Sequence, residues 1–152
     1  MEIEIKMEIE KEFKDAVKKG DIEKVKSMLK DVDPSMDDNY AIGCAARYGY
    51  LPIVDLLLED PRVDPSSQNN FCIVWASSNG HLSTVERLLK DSRVDPCNHS
   101  IIYSSINGHL DVIKRLLQDP RVDPEIENRW AIRTASLKKR DDIVKLLSKG
   151  KE

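Results

Sequence analysis

The chain is poor in the residues on which most functional classes depend. Aromatic side chains are 5% of its 152 residues, with two tryptophans and two phenylalanines. That is too few for a ring-filled β-sandwich core, and it suits a helical stack with small residues between helices. There are three cysteines, Cys44, Cys72 and Cys97, an odd number at no framework spacing. This excludes a disulfide scaffold and points to a reducing, intracellular compartment, the cytoplasm, with the nucleus left open. No charge of one sign dominates: the formal net charge is −3, which disfavours a nucleic acid or an anionic membrane as partner. No apolar run approaches the ~20 residues of a membrane span. The N-terminus alternates acidic residues with Ile and Met and does not read as a signal peptide. No nucleophile elbow, phosphate-binding glycine loop or apolar-pocket carboxylate pair is present. Cys97 and His99 have no second pair at zinc spacing. An enzyme, a metal and a cofactor are therefore not expected.

What the chain does have is a repeated segment. Gly49-Tyr-Leu-Pro-Ile-Val-Asp-Leu-Leu-Leu-Glu-Asp-Pro-Arg-Val-Asp-Pro65 returns as Gly80 to Pro96 and again as Gly108 to Pro124. A period near thirty residues marks one supersecondary unit, copied and stacked. Small residues stand four positions before each glycine: Ala16, Ala45, Ala76 and Ser104. They let neighbouring helices approach closely, and Ile42, Ile73 and Ile101 lie on the same helical face three residues earlier. After each glycine comes a second amphipathic stripe: Leu51, Val54, Leu57 and Leu58; Leu82, Val85, Leu88 and Leu89; Leu110, Ile113, Leu116 and Leu117. Asn79-Gly80 and Asn107-Gly108 read as left-handed turns that end a first helix. Prolines then punctuate the link to the next unit, and short polar segments such as Ser66 to Asn70 read as projecting turns. Trp130 to Ala135 matches Tyr40 to Ala45 without a gap, which places Lys139 where the other units have glycine. Five helix pairs result, near 11–30, 40–58, 71–90, 99–118 and 130–148, forming one domain over 11–150 after an extension at 1–10.

These blocks resemble the ankyrin repeat family. Ala45-Ala46-Arg47-Tyr48-Gly49 and Ala76-Ser77-Ser78-Asn79-Gly80-His81-Leu82, with the Val/Ile–xx–Leu-Leu helix behind them, carry the resemblance from about Lys11 to Ser148. The family's Thr-Pro-Leu-His is absent, and Asp-Pro-Arg-Val-Asp-Pro replaces the usual glycine after the second helix. The resemblance implies an all-α solenoid of five stacked pairs with short, β-hairpin-like projecting turns. It implies a non-enzymatic module that binds a partner protein through the concave face of turn tips and first helices. Carried over position by position, the tips give Met36, Asp37 and Asn39, then Ser67, Gln68 and Asn70, then Ile126, Glu127 and Arg129. The first helices give Arg47, Tyr48, Ser78, Asn79, Ile106, Asn107, Leu137 and Lys138. The third tip, with only Cys97 and Asn98 before His99, is shorter than its counterparts. Family practice also makes His81 and His109 structural.

Three alternatives stay open. Cys44, Trp75, Tyr103 and Thr134 share one repeat position and either pack the stack or form an anchor row for a partner. Lys138, Lys139 and Arg140 make the last pair basic, as a solvated cap or as a site for an anionic ligand or nucleic acid. In the extension, Ile5, Ile9, Phe13 and Val17 fall on one helical face, while its period-two alternation also allows a strand, and disorder is the third state. The chain is expected to be a monomer unless residues 1–10 mediate self-association, in which case the stack is structural or oligomeric.

Overall fold

The computed structural model describes residues 1–96, 98–122 and 124–148, with side chains described at all of these except 98 and 124–128. They form α1 (Glu2–Lys19), α2 (Ile22–Met28), α3 (Met36–Tyr48), α4 (Leu51–Leu58), α5 (Ser67–Ser78), α6 (Leu82–Leu89), α7 (Asn98–Asn107), α8 (Leu110–Leu117), α9 (Pro124–Leu137) and α10 (Asp141–Ser148). Successive first helices pack on one another, as do successive second helices from α2 to α8. Three buried columns run through the stack: Phe13, Ile42, Ile73 and Ile101; Met28, Leu57, Leu88, Leu116 and Leu147; and Ala16, Ala45, Ala76 and Ala135. Ser104 takes the alanine position in the third full unit. Its hydroxyl donates to the Ser100 carbonyl at 2.6 Å within its own helix, so the buried oxygen is satisfied. No helix among the described residues is long and apolar enough to cross a membrane. The extension is helical, continuous with α1, and leaves Ile3, Ile5 and Met7 exposed.

The turn inside each pair is uniform. The residue after the turn donates its N–H to the carbonyl four residues before the turn: Asp21 to Ala16, Tyr50 to Ala45, His81 to Ala76, His109 to Ser104 and Arg140 to Ala135, at 2.9–3.0 Å. Gly49 has φ 73° and Lys139 has φ 56°, so the gapless alignment of the last pair holds. Why one is glycine and the other lysine follows from the next repeat. The His81 ring lies over Gly49 and donates from Nε2 to the Arg47 carbonyl at 2.9 Å; a Cβ at Gly49 would lie 2.5 Å from His81 Nδ1. His109 to Ser78, Tyr50 to Lys18 and Arg140 to Asn107 make the equivalent bonds at 3.0, 3.3 and 3.4 Å. Lys139 is exposed, and what opposes a side chain there is its left-handed dihedral.

The projecting turns are not hairpins: no strand occurs among the described residues. In the first two tips, Asp37-Asp38-Asn39 and Gln68-Asn69-Asn70 have φ between 51° and 63°, a run of left-handed residues before the right-handed helix begins. Asn and Asp tolerate this conformation best among non-glycine residues. Asn39 Oδ1 accepts from the Asp64 N–H and Asn70 Oδ1 from the Asp95 N–H, both at 2.8 Å, which locks each tip to the next linker.

The linkers contain the strongest tie. Arg62, Arg93 and Arg121 each fork onto the aspartate two residues earlier, with Nε to Oδ1 at 2.8–2.9 Å and Nη2 to Oδ2 at 2.7–2.8 Å. The same guanidinium then reaches the preceding linker, donating to the carbonyls of Val32, Val63 and Val94 at 3.3, 2.9 and 2.7 Å. The first linker, Lys30-Asp31-Val32, has no arginine. The arginine hydrogen bonds hold the carboxyls of Asp60, Asp91 and Asp119 below the usual carboxylate range, against the opposing effect of burial.

Two predictions follow from these contacts. Gly49→Ala should cost about 1–2 kcal/mol for the dihedral and about 1–3 more for overlap with His81. The second part should vanish in a His81→Ala background, measured by urea denaturation, whereas Lys139→Gly should raise stability by up to about 1 kcal/mol. Arg93→Ala should cost about 1–3 kcal/mol at pH 7. Because the depressed carboxyls stabilise the fold above their unfolded pKa of ~3.9 and cease to do so as pH falls through their lower folded values, wild-type denaturation midpoints should drop between pH 5 and strong acid. Asp91→Asn should start lower at neutral pH and lose less on acidification.

Candidate binding face

The first helices begin at the tips and end at the turns, so every repeat presents the same positions on one face. Nine residues before each turn stand Tyr40, Phe71, His99 and Trp130. Four residues further on stand Cys44, Trp75, Tyr103 and Thr134, one helical turn along the same side. The Phe71 and Trp75 rings meet with centroids 5.2 Å apart, and His99 stacks on Tyr103 at 6.3 Å. Phe71, Tyr103 and Trp130 remain 41%, 44% and 62% exposed. A shallow groove of about 40 Å³ between the first two tips is lined by Asp38, Tyr40, Asp64, Phe71 and Trp75 among others, so tips and rings share one surface.

The anchor row therefore divides. Cys44 is buried, and burial raises its thiol above the ordinary range. Trp75 is half-buried: a Cβ at Gly43 would touch its ring edge at 3.4 Å, Phe71 lies beside it, and the Arg47 guanidinium sits 5.5 Å from its centroid. Tyr103 stands open, and Thr134 donates its hydroxyl back to the Trp130 carbonyl at 2.9 Å. Cys72 is buried, its thiol donating to the Pro65 carbonyl at 2.8 Å, and burial pushes its pKa up to about 12, so it presents no thiolate at neutral pH.

The remaining positions read from the sequence fall into two groups. Some are engaged in holding the array together. Asp37 pairs with Lys14; Asn39 and Asn70 tie the tips to the next linkers; Ser67 and Gln68 donate to the Asp38 carbonyl at 3.0 and 3.4 Å. Asn107 Nδ2 donates to the Ser78 carbonyl at 2.6 Å and to its hydroxyl at 3.0 Å, and Asn79 Nδ2 to the Trp75 carbonyl at 2.8 Å. Others face outward: Tyr48, Arg129, Leu137 and Lys138 are exposed, Met36 and Ile106 half-buried. The side chains of Ile126 and Glu127, and the whole of Cys97, lie outside what the structure describes. The row of Tyr40, Phe71, His99 and Trp130 was not read from the sequence as a surface. Its signal is the constant offset of nine residues from the turn, which four different ring types disguise. The cationic last pair is partly structural, since Arg140 crosses to the preceding turn while Lys138 and Lys139 stay exposed.

A family model of ankyrin repeats (three copies) matches residues 13–99 and 73–152, and the chain belongs to the ankyrin repeat family. Ankyrin repeats are generally protein–protein interaction modules, and the family is typically non-catalytic. No curated protein matches the chain in sequence.

The two rings read as equivalent in the sequence should respond differently to truncation. Trp75→Ala should cost about 1–3 kcal/mol, less than the ~3–5 of a fully buried aromatic. Tyr103→Ala should change stability by no more than about 0.5 kcal/mol. Urea midpoints of the two variants check this directly.

Proposed function

We propose that the chain is a non-enzymatic protein-interaction module whose partner lies along the face of turn tips and first helices. One observation carries the reading. A chain with few aromatics spends most of its tryptophan and phenylalanine on this face and leaves Phe71, Tyr103 and Trp130 substantially exposed. Such rings anchor interfaces by giving large contact area at small entropic cost. The second helices offer no such row: their outward positions carry Asp55, Glu59, Glu86, Lys90 and Lys114. The tips are tied to neighbouring linkers, so the face is organised before any partner arrives, which lowers the ordering cost of association.

Photo-crosslinking tests the assignment. A benzophenone amino acid placed at Tyr103 should join the chain to its partner, and the same group at Glu86 on α6 should not. Tyr103→Ala and Trp130→Ala should weaken capture while leaving the far-ultraviolet dichroism unchanged. Crosslinking from Glu86 alone would move the site to the second helices.

A further inference from the structure

The charges around the rings are sorted. The first-helix segments 40–48, 71–79, 99–107 and 130–138 contain no Asp or Glu, although the chain has 27 acidic residues. What charge they carry, apart from His99, is cationic: Arg47, Arg133 and Lys138. Arg62, Arg87, Arg93 and Arg121 each rest on a carboxylate. Arg47 and Arg133 lie instead on rings, 5.5 Å from Trp75 and 5.7 Å from Trp130, with no ion pair among the described residues. Lys18 lies 6.0 Å from the Tyr40 ring but also pairs with Asp15 of its own helix at 4.0 Å. Arg47 and Lys138 stand near the turn ends of their helices, and Asp38 and Asp64 stand at the opposite edge, on or beside the tips. The ring stripe thus runs between a cationic edge and a carboxylate edge.

Resting on the interaction reading above, we infer that the occupant of this stripe is an amphipathic helix of a partner protein with an apolar seam between flanks of opposite charge. Its acidic flank faces Arg47 and Lys138, and its basic flank faces Asp38 and Asp64. Packed helices lie about 8–10 Å apart, so the ring clusters of successive repeats recur at that interval. A side chain on every seventh residue of an α-helix recurs about every 10.5 Å, which sets one apolar residue of the partner over each repeat. Reversing the partner helix end to end would exchange its flanks and bring like charges together, so the sorting also fixes its direction. A single-stranded nucleic acid would find stacking rings, but its phosphates would meet the carboxylate edge on one side.

The array carries its own reporter, because its two tryptophans, Trp75 and Trp130, both lie in the stripe. Three probes are titrated into the full chain while tryptophan emission is followed. The first is a synthetic helical peptide with leucine at every seventh position, glutamate along one flank and lysine along the other. The second has the same composition with glutamate and lysine mixed on both flanks. The third is an oligothymidylate. The sorted peptide should shift the emission saturably and bind about tenfold or more tighter than the mixed one. Arg47→Glu, an exposed position, should remove most of that preference. A sorted and a mixed peptide of equal affinity, no saturable shift with the sorted peptide, tighter binding of oligothymidylate, or a preference unaltered by Arg47→Glu would each overturn the inference. The interaction reading is tested separately. A partner that crosslinks at position 103 but is not displaced by the sorted peptide leaves that reading standing and removes this one.

Discussion

Each repeat is held by reaching back to the main chain of the one before it. The acceptors are chiefly backbone carbonyls. The linker arginines donate to Val32, Val63 and Val94, and the residue after each turn donates to Lys18, Arg47, Ser78 or Asn107. Apolar columns supply the bulk of the driving force, as in any solenoid. They do not fix the angle and offset between neighbours, because leucine and isoleucine contacts are non-directional. Directional bonds to fixed carbonyls do. Those bonds set the spacing of the first helices and therefore the geometry of the face on which the rings stand.

This arrangement accounts for the residues that seemed peculiar to the chain. Aspartate in Asp-x-Arg orients the guanidinium so that its remaining donors point to the earlier linker. The turn glycines are required twice over, once by a left-handed dihedral and once by the side chain of the next repeat lying on them, a ring at Gly20, Gly49 and Gly80 and the Arg140 guanidinium at Gly108. Lys139 meets only the first requirement. The asparagines at Asn39 and Asn70 do for the tips what the arginines do for the linkers, each fastening its turn to the backbone of the next linker.

The helix pairs, their small-residue contacts and the alignment of the last turn were legible in the sequence, since each rests on a periodic choice among residue types. The clamp was not. Asp-Pro-Arg-Val-Asp-Pro reads as punctuation because its partners are backbone oxygens about thirty residues away, and a carbonyl has no residue identity to align. The handedness of the tips was equally hidden: Asp37 to Asn39 announces a turn, but the lock on Asp64 is needed to hold three left-handed residues in succession. Within the candidate face, Trp75 and Tyr103 share a repeat position and looked alike. They differ because Trp75 leans over Gly43, whereas the residue at Gly43's position in the helix before Tyr103 is Val74, whose side chain removes the recess.

One regularity among these bonds gives the array a polarity. Among the described residues, every side-chain hydrogen bond between successive pairs has its donor in the later pair and its acceptor in the earlier one, while the single ion pair of Lys14 with Asp37 runs the other way. The two directions of dismantling therefore expose different groups. Peeling a pair from the C-terminal side uncovers carbonyls, which water satisfies at little cost. Peeling one from the N-terminal side instead uncovers a guanidinium with the carboxylate that holds it and an aromatic or imidazole donor, which water likewise satisfies. The stack is laid like shingles in one sense: a chain growing from its N-terminus lays down each acceptor before the donor that will need it.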